Sequence, residues 1–328
     1  MTQPQLQPQL LRADIPPQLA GQRLDQALAG LFPDYSRARL QQWLRAGQVL
    51  VDGQQRRPRD KVLGGEAVVI TLIPQQEVSN PPQPITLDVV YEDKALLVIN
   101  KPVGLVVHPG AGNPHGTLLN ALLHHAPELA NVPRAGIVHR LDKDTSGLLV
   151  VARTLIAQKS LVEQLQTHSL QRGYEAIVAG VMTAGGRIET QIARDPHART
   201  RMSVAREGQG KTAVTHYRVI ERFRAHTHVR LQLETGRTHQ IRVHMAHIRH
   251  PIIGDPDYGG RLRLPPGASE ALIETLRRFK RQALHAASLG LIHPGTGEAM
   301  HWTAHLPMDM RQLLQVLKED RDADLSAP

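Results

Sequence analysis

The stretch His139-Arg140-Leu141-Asp142-Lys143-Asp144-Thr145-Ser146-Gly147 sets a dense charged block between two apolar runs, Ala135-Gly136-Ile137-Val138 before it and Leu148-Leu149-Val150-Val151 after it. Two carboxylates, two basic side chains, a histidine and two hydroxyls beside a strand can hold an ionised nucleophile in a charge-balanced pocket. The competing reading is a solvated turn that ends at Gly147, because Asp, Ser and Gly are also what turns use. Residue chemistry alone leaves both readings open, and it does not choose between Asp142 and Asp144.

Outward from this block, short β-rich runs alternate irregularly with helical ones. Strands are expected over Leu87 to Tyr91, Leu96 to Ile99, Leu148 to Ala152, Ala176 to Val181 and Val229 to Leu233. Helices are expected over Leu118 to His125, Ile156 to Gln166 and Ala271 to Arg278. The class is α+β, with a mixed, largely antiparallel sheet flanked by helices. Strict strand–helix alternation is lacking, which argues against nucleotide-cofactor folds. Gly208-Gln209-Gly210-Lys211-Thr212 resembles a phosphate-binding loop, but Ala205 stands where that pattern needs glycine and no apolar strand leads in.

The 328 residues allow two domains. Lys and Arg number 39 against 30 Asp and Glu, a formal charge of +9 that favours a polyanionic partner, nucleic acid first. With no cysteine, disulfides and thiolate metal sites are excluded, and a cytoplasmic location is expected. No stretch is apolar enough to cross a bilayer, so no membrane partner is expected.

Residues 1–20, rich in Gln, Pro and Leu, read as a loose tail. Gly21 to Lys61 holds eight basic and four acidic residues, a concentrated positive charge. Leu24, Ala27, Leu28 and Leu31 recur at helical spacing. A second helix can start at Ser36, bury Leu40, Trp43 and Leu44, and stop at Gly47. Val49 to Val51, an Asp52-Gly53 turn and Ala67 to Ile73 then close a small α+β module over 21–74. Its Arg37, Arg39, Arg45, Arg56, Arg57 and Arg59 can neutralise backbone phosphates. Residues 75–84, with Pro81, Pro82 and Pro84, read as a stiff connector. The main domain is expected over 85–318, and 319–328 as a frayed, charged terminus.

Four further segments matter. Asn100 to Gly110 packs two prolines, two glycines, Lys101 and His108 into one irregular stretch. Tyr174 falls with Ala176 and Val178 on one face of a strand, as a core tyrosine would, although a base swung out of a helix also needs a flat ring to stack on. Leu233 to His244 is basic and histidine-rich. Its His239 and His244, with His247 and His250, invite a metal, but the spacings do not fit the helical zinc motif and acids are scarce. Arg194 to Lys211 is either an RNA-contacting arm or a solvated excursion.

Together these residues resemble two known families. Arg23-Leu24-Asp25-x-x-Leu28, Ser36-Arg37 and Gly47-x-Val49-x-Val51-Asp52-Gly53 resemble the S4 RNA-binding domain. The Asn100-Lys-Pro segment, the block from His139 to Gly147, Arg172-Gly-Tyr-Glu-Ala176, Thr235-Gly-Arg-Thr-His-Gln-Ile-Arg-Val-His244 and Gln282-Ala-Leu-His285 resemble the RluA-type pseudouridine synthases, in that family's order. The resemblance implies isomerisation of specific uridines of large-subunit (23S) ribosomal RNA, without metal or cofactor, by a protein expected to be a monomer. It makes Asp142 the nucleophile, Arg237 the cation that keeps it ionised and Tyr174 the platform for the extruded base. Arg140, the backbone near Leu141, His139 and Lys101 complete the substrate side. Whether the carboxylate attacks C1′, attacks C6 or drives elimination stays open. The alternatives are a synthase of the same family with other target uridines in ribosomal RNA and a non-catalytic RNA-binding ribosome-assembly factor on the same fold.

Overall fold

In the computed structural model the described residues are 9–33, 35, 37–72, 80–110, 112–198 and 200–325, and they divide into two compact units, Met1–Ser79 and Asn80–Pro328. In the first unit, β1 (Gln9–Asp14), β2 (Val49–Val51) and β3 (Ala67–Leu72) form an antiparallel sheet in the order β1-β3-β2. The helices α1 (Leu24–Leu31) and α2 (Arg37–Arg45) bury Leu24, Leu28, Leu40 and Trp43 against Val49, Val51, Val68 and Ile70. Residues 9–20 are therefore not a loose tail. Leu11, Ala13 and Ile15 alternate on one side of the chain, Ile15 is fully buried, and β3 supplies the backbone partners that a free tail would lack. Residues 1–8, Ser36 and the Arg39 side chain lie outside the described residues.

Two of the expected phosphate-binding arginines in this unit already have carboxylate partners. Asp25, buried beneath α1, accepts from Arg23 at 3.0 Å, from Arg37 at 2.9 Å and from Gln41 at 2.6 Å. The Arg23 guanidinium, followed by Arg37 and Gln41, holds this carboxyl well below the usual aspartate range. Arg56 pairs with the buried Glu66 at 3.1 Å. Burying a carboxylate requires a countercharge, which Arg37 and Arg56 supply although Arg37 also stays exposed; Arg45, Arg57 and Arg59 are exposed too.

The second unit is built on one large sheet. Its strands are β4 (Val89–Glu92), β5 (Leu96–Lys101), β6 (Ser146–Ala152), β7 (Gln171–Ala179), β8 (Gly186–Arg194), β9 (Met202–Ala205), β10 (Lys211–Arg222), β11 (His226–Leu233), β12 (Leu284–Ile292) and β13 (Ala299–Thr303). They run in the order β4-β5-β6-β12-β7-β11-β10-β8-β9, with β13 on β12, and every pairing is antiparallel except β6 with β12. Alternation along β5 and β6 divides the core. Leu97, Ile99, Leu149 and Val151 face the helices α3 (Leu118–His125), α6 (Glu270–Arg278) and α7 (Met308–Leu325). Leu96, Val98, Leu148 and Val150 face α4 (Leu155–Gln166). With both faces covered, these strands read as unbroken apolar runs. The last helix, α5 (Gln240–His247), follows β11 and carries part of the cleft wall described below.

Three boundaries differ from the sequence expectation. Residues 80–84 belong to the second unit, because the Asn120 amide donates to Pro81 O at 3.0 Å and Gln83 N donates to Asn120 O at 3.0 Å; 73–79 lie outside the described residues. Residues 319–325 continue α7 rather than fray. Met310, Leu313 and Leu317 are buried on one helical stripe, and the buried Asp320 accepts from Ser269 N at 2.8 Å and from Arg224 at 3.2 Å. Strand β7 starts at Gln171, five residues before the expected strand. No helix among the described residues is long and apolar enough to cross a membrane.

Two buried histidines should make this unit less stable in acid. Burial pushes both His226 and His244 down to about 4 from 6.5. A folded-state value below the unfolded one means that their contribution is complete above about pH 6.5 and is lost as pH falls towards 4. Between pH 7 and pH 5 we expect a loss of about 2 kcal/mol per histidine, read as a falling urea midpoint of the main unit. His226→Asn should flatten that slope; an identical slope in the variant contradicts the assignment.

Candidate active site

The charged block is not a solvated turn. Leu141, Thr145 and Ser146 are buried, and the segment is fastened from behind by residues remote in sequence. The Gln282 amide donates to Thr145 Oγ1 at 3.0 Å, Ser146 Oγ lies 2.8 Å from His285 Nδ1, and Arg281 donates to Asp144 O at 3.3 Å. Gly147 enters β6 at φ 113°, squeezed against β12 so closely that a Cβ would overlap the Ala286 carbonyl. Only glycine fits such a position.

Lys101 also fastens the block. Its ammonium donates to the carbonyls of Pro102, Leu105 and Lys143 at 2.8 to 2.9 Å, and the residue is only 1% exposed. Burial pulls its pKa down to about 8, opposed by Asp144 and Asp142. All three donors are engaged and the residue does not line the cleft, so the expected substrate-binding role of Lys101 is corrected to a loop clamp.

Asp142 opens onto a cleft of about 830 Å³, whereas Asp144 does not line it. The cleft wall also carries Tyr174, Arg140, His139 and Arg237. Tyr174 comes from β7, opposite Leu231 of β11, and is 5% exposed. Burial, with the Asp142 charge adding to it, raises its pKa, so the phenol keeps its proton. Arg140 is exposed, and Leu141 presents a buried side chain that packs into the core.

The partner of Asp142 is Arg242, not Arg237. Arg242 Nη1 donates to Asp142 Oδ2 at 3.3 Å. The same guanidinium holds Asp255 through two bonds of 2.7 and 2.8 Å and Asp257 through one of 2.7 Å. Despite burial, these acids raise its pKa, so the charge is permanent. Arg237 lies before α5 and is exposed; its Nε donates to Thr212 O of β10 at 3.0 Å. Two arginines five residues apart point differently because one precedes the helix and the other projects from its first turn.

His139 accepts from Val150 N at Nε2, 3.2 Å away, so its proton sits on Nδ1, and burial pushes its pKa down to about 3. That Nδ1, His108 Nε2 and Arg172 Nε are buried without a hydrogen-bond partner, and all three residues line the cleft. A wall with such atoms suits a ligand rich in acceptors. Two histidines of the Leu233 to His250 stretch find ordinary partners: His244 meets Thr190 and Thr215 at 3.0 and 2.9 Å, and His250 meets Ala179 O at 2.8 Å. Among the described residues no group of three or more His, Cys, Asp or Glu could hold a metal ion.

Arg242, Asp255, Asp257 and Tyr258 were not singled out as site residues by sequence, and His239 only as a metal candidate. One signal was available: an arginine inside the apolar spacing of a short helix needs a buried acid, and Asp255-Pro256-Asp257 follows within fifteen residues.

Similarity to known proteins agrees with this geometry. The family profile described as RNA pseudouridylate synthase matches residues 95–247, and that of the S4 domain matches residues 22–68. The Ribosomal large subunit pseudouridine synthase D of Escherichia coli K12 is 58% identical over 311 residues, 94% of this chain and 95% of that protein. The protein of the same name from Pseudomonas aeruginosa is 58% identical over 95% of this chain and 97% of its own length. Among solved structures, Human RNA Pseudouridylate Synthase Domain Containing 4 superposes with a TM-score of 0.55 at 28% identity, covering 70% of this chain and 92% of that one. Identity of this order along nearly the whole length leaves one conclusion: the chain belongs to the RNA pseudouridylate synthase family, with an S4 domain ahead of the catalytic unit.

Proposed function

We propose that the protein isomerises specific uridines of large-subunit ribosomal RNA to pseudouridine, with Asp142 as the nucleophile. The observation that carries this reading is the Asp142 carboxylate facing a cleft while a buried arginine, Arg242, donates to it at 3.3 Å. The large-subunit substrate is supported by the relatives that share 58% of the sequence.

The reaction balances without a cofactor. The N1–C1′ bond of uridine breaks, the base rotates, C5 joins C1′, and the proton lost from C5 is matched by one gained at N1. Asp142 initiates glycosidic cleavage. The buried Tyr174 ring offers the face on which the flipped base stacks, and Arg140 at the mouth holds the extruded strand. His139 Nδ1–H, His108 and Arg172 donate to base carbonyls or backbone phosphate. Flipping a nucleotide costs a few kcal/mol, and the exposed Arg45, Arg57 and Arg59 of the S4 domain offset part of it by neutralising phosphates elsewhere on the RNA. The protein works as a monomer in the cytoplasm, where ribosomal RNA is available.

The test is a pseudouridine map of large-subunit RNA from cells with and without the gene. Specific pseudouridines should vanish on deletion and return with the wild-type gene. An unchanged map would overturn the reading.

A further inference from the structure

His239 is held in a conformation that a helix start does not require. It stands immediately before α5 with left-handed backbone, φ 56° and ψ 19°, a region that non-glycine residues adopt only when their surroundings fix them there. The surroundings are explicit. His239 Nδ1 lies 2.8 Å from Tyr258 Oη, and that phenol oxygen accepts from Met202 N at 2.8 Å. A phenol has one proton. With the Met202 amide donating to the oxygen, the phenol keeps its own proton to give to His239 Nδ1, and in that tautomer the imidazole proton sits on Nε2. That Nε2 faces Asp142 Oδ1 at 4.0 Å, while Arg242 takes the other oxygen, Oδ2.

Tyr258 is fixed as well, with the guanidinium of Arg242 4.9 Å and that of Arg201 5.0 Å from its ring centre. The charged and titratable groups around His239 are thus Asp142 from the block, Arg242 from α5, Asp255, Asp257 and Tyr258 from the segment after α5, and Arg201 beside β9. Burial lowers the His239 pKa, and the three acids oppose the shift. Burial thus favours the neutral ring, which Tyr258 orients from outside.

We propose that His239 is a positioning residue for the reaction: its Nε2–H, locked by Tyr258 and the Met202 amide, orients the Asp142 carboxylate from the side opposite Arg242. The inference rests on the reading that Asp142 carries the chemistry. A carboxylate gripped through one oxygen alone can still rotate; a donor facing the other oxygen from 4.0 Å, longer than a hydrogen bond, restrains that rotation electrostatically. The anchor is a backbone amide at the start of β9, in the basic excursion from Arg194 to Lys211, so the orientation is tied to a segment suited to meet RNA phosphates.

The experiment measures single-turnover pseudouridine formation on one RNA with the full-length protein. His239→Ala should lower kcat roughly 10- to 100-fold with KM changed less than about threefold, and move the acid limb of the kcat profile to higher pH. His239→Gln, whose amide can donate at the Nε2 position, should recover most of both. Tyr258→Phe should give a smaller loss, and adding it to His239→Ala should cost little more, because both act through one link. Wild-type kcat and pH profile in His239→Ala overturn the proposal, as does an equal loss in His239→Gln or a loss carried by KM. Asp142→Asn on the same RNA separates the two levels: activity there sinks the nucleophile assignment itself, whereas an inactive Asp142→Asn beside a fully active His239→Ala sinks only the positioning role.

Discussion

Asp142→Asn should abolish pseudouridine formation, lowering the rate at least about 1000-fold, roughly 4 kcal/mol of barrier, while RNA affinity changes less than about threefold. The asymmetry follows from geometry. Asparagine has the shape of aspartate, and its carbonyl can still accept from Arg242. Arg242 also keeps Asp255 and Asp257, so the cleft does not collapse. What disappears is the carboxylate oxygen that the proposed mechanism sets against the uridine. Removing a negative charge from a cleft that receives a polyanion cannot weaken binding electrostatically; affinity should hold or rise slightly. Thermal unfolding and RNA binding should therefore match wild type while product formation is lost. Activity within tenfold of wild type would remove Asp142 from the chemistry.

How much of this was legible in the sequence differs between element types. Periodic apolar patterns located α1, α3, β5 and β6 closely, because those elements bury a face or both faces and the pattern records it. Strands β8, β9 and β10 carry intermediate or exposed residues at many positions, and pairing, not composition, makes them strands. The ends misled for a related reason. Glutamine and charge around Leu11 and Asp320 suggested disorder, yet each segment has one buried stripe and polar groups satisfied by a remote partner. Low hydrophobicity measures what a segment can bury alone, not what a neighbouring strand or helix completes.

Within the site, the charged block could be found but not its mechanics. Asp142 and Asp144 are chemically equivalent on paper; the turn that closes through Thr145 N to Asp142 O, 3.1 Å, sends only the first towards the cleft. Lys101 was placed on the substrate side by the family resemblance of its segment. It clamps that segment instead, and the carbonyl of Lys143 ties it to the block. Gln282 and His285 do not line the cleft; they fix Thr145 and Ser146 of the block behind it. A polar residue recognised in sequence can thus belong to the site's scaffold as readily as to its surface.

The largest structural effect should come from Arg242. Its guanidinium neutralises three carboxylates, one of them, Asp255, with a side chain 0% exposed. Arg242→Met keeps the volume and removes the charge, leaving buried acids unpaired. Breaking a buried pair in this way costs about 3–5 kcal/mol, a large share of a domain's stability. Arg242→Lys keeps the charge but not the fork, so one ammonium cannot replace two bonds to Asp255 together with those to Asp257 and Asp142. That variant should fold with reduced stability and lose activity about 100-fold or more. Arg237→Ala forms the contrast. Arg237 is exposed and bonds a backbone carbonyl, so unfolding should be unchanged and activity should fall less than about tenfold. Urea unfolding and single-turnover rates on the same RNA for all three variants decide between the two arginines. An inactive, normally folded Arg237→Ala beside an active Arg242→Lys would reverse the assignment and require a closed state in which Arg237 swings from Thr212 to Asp142.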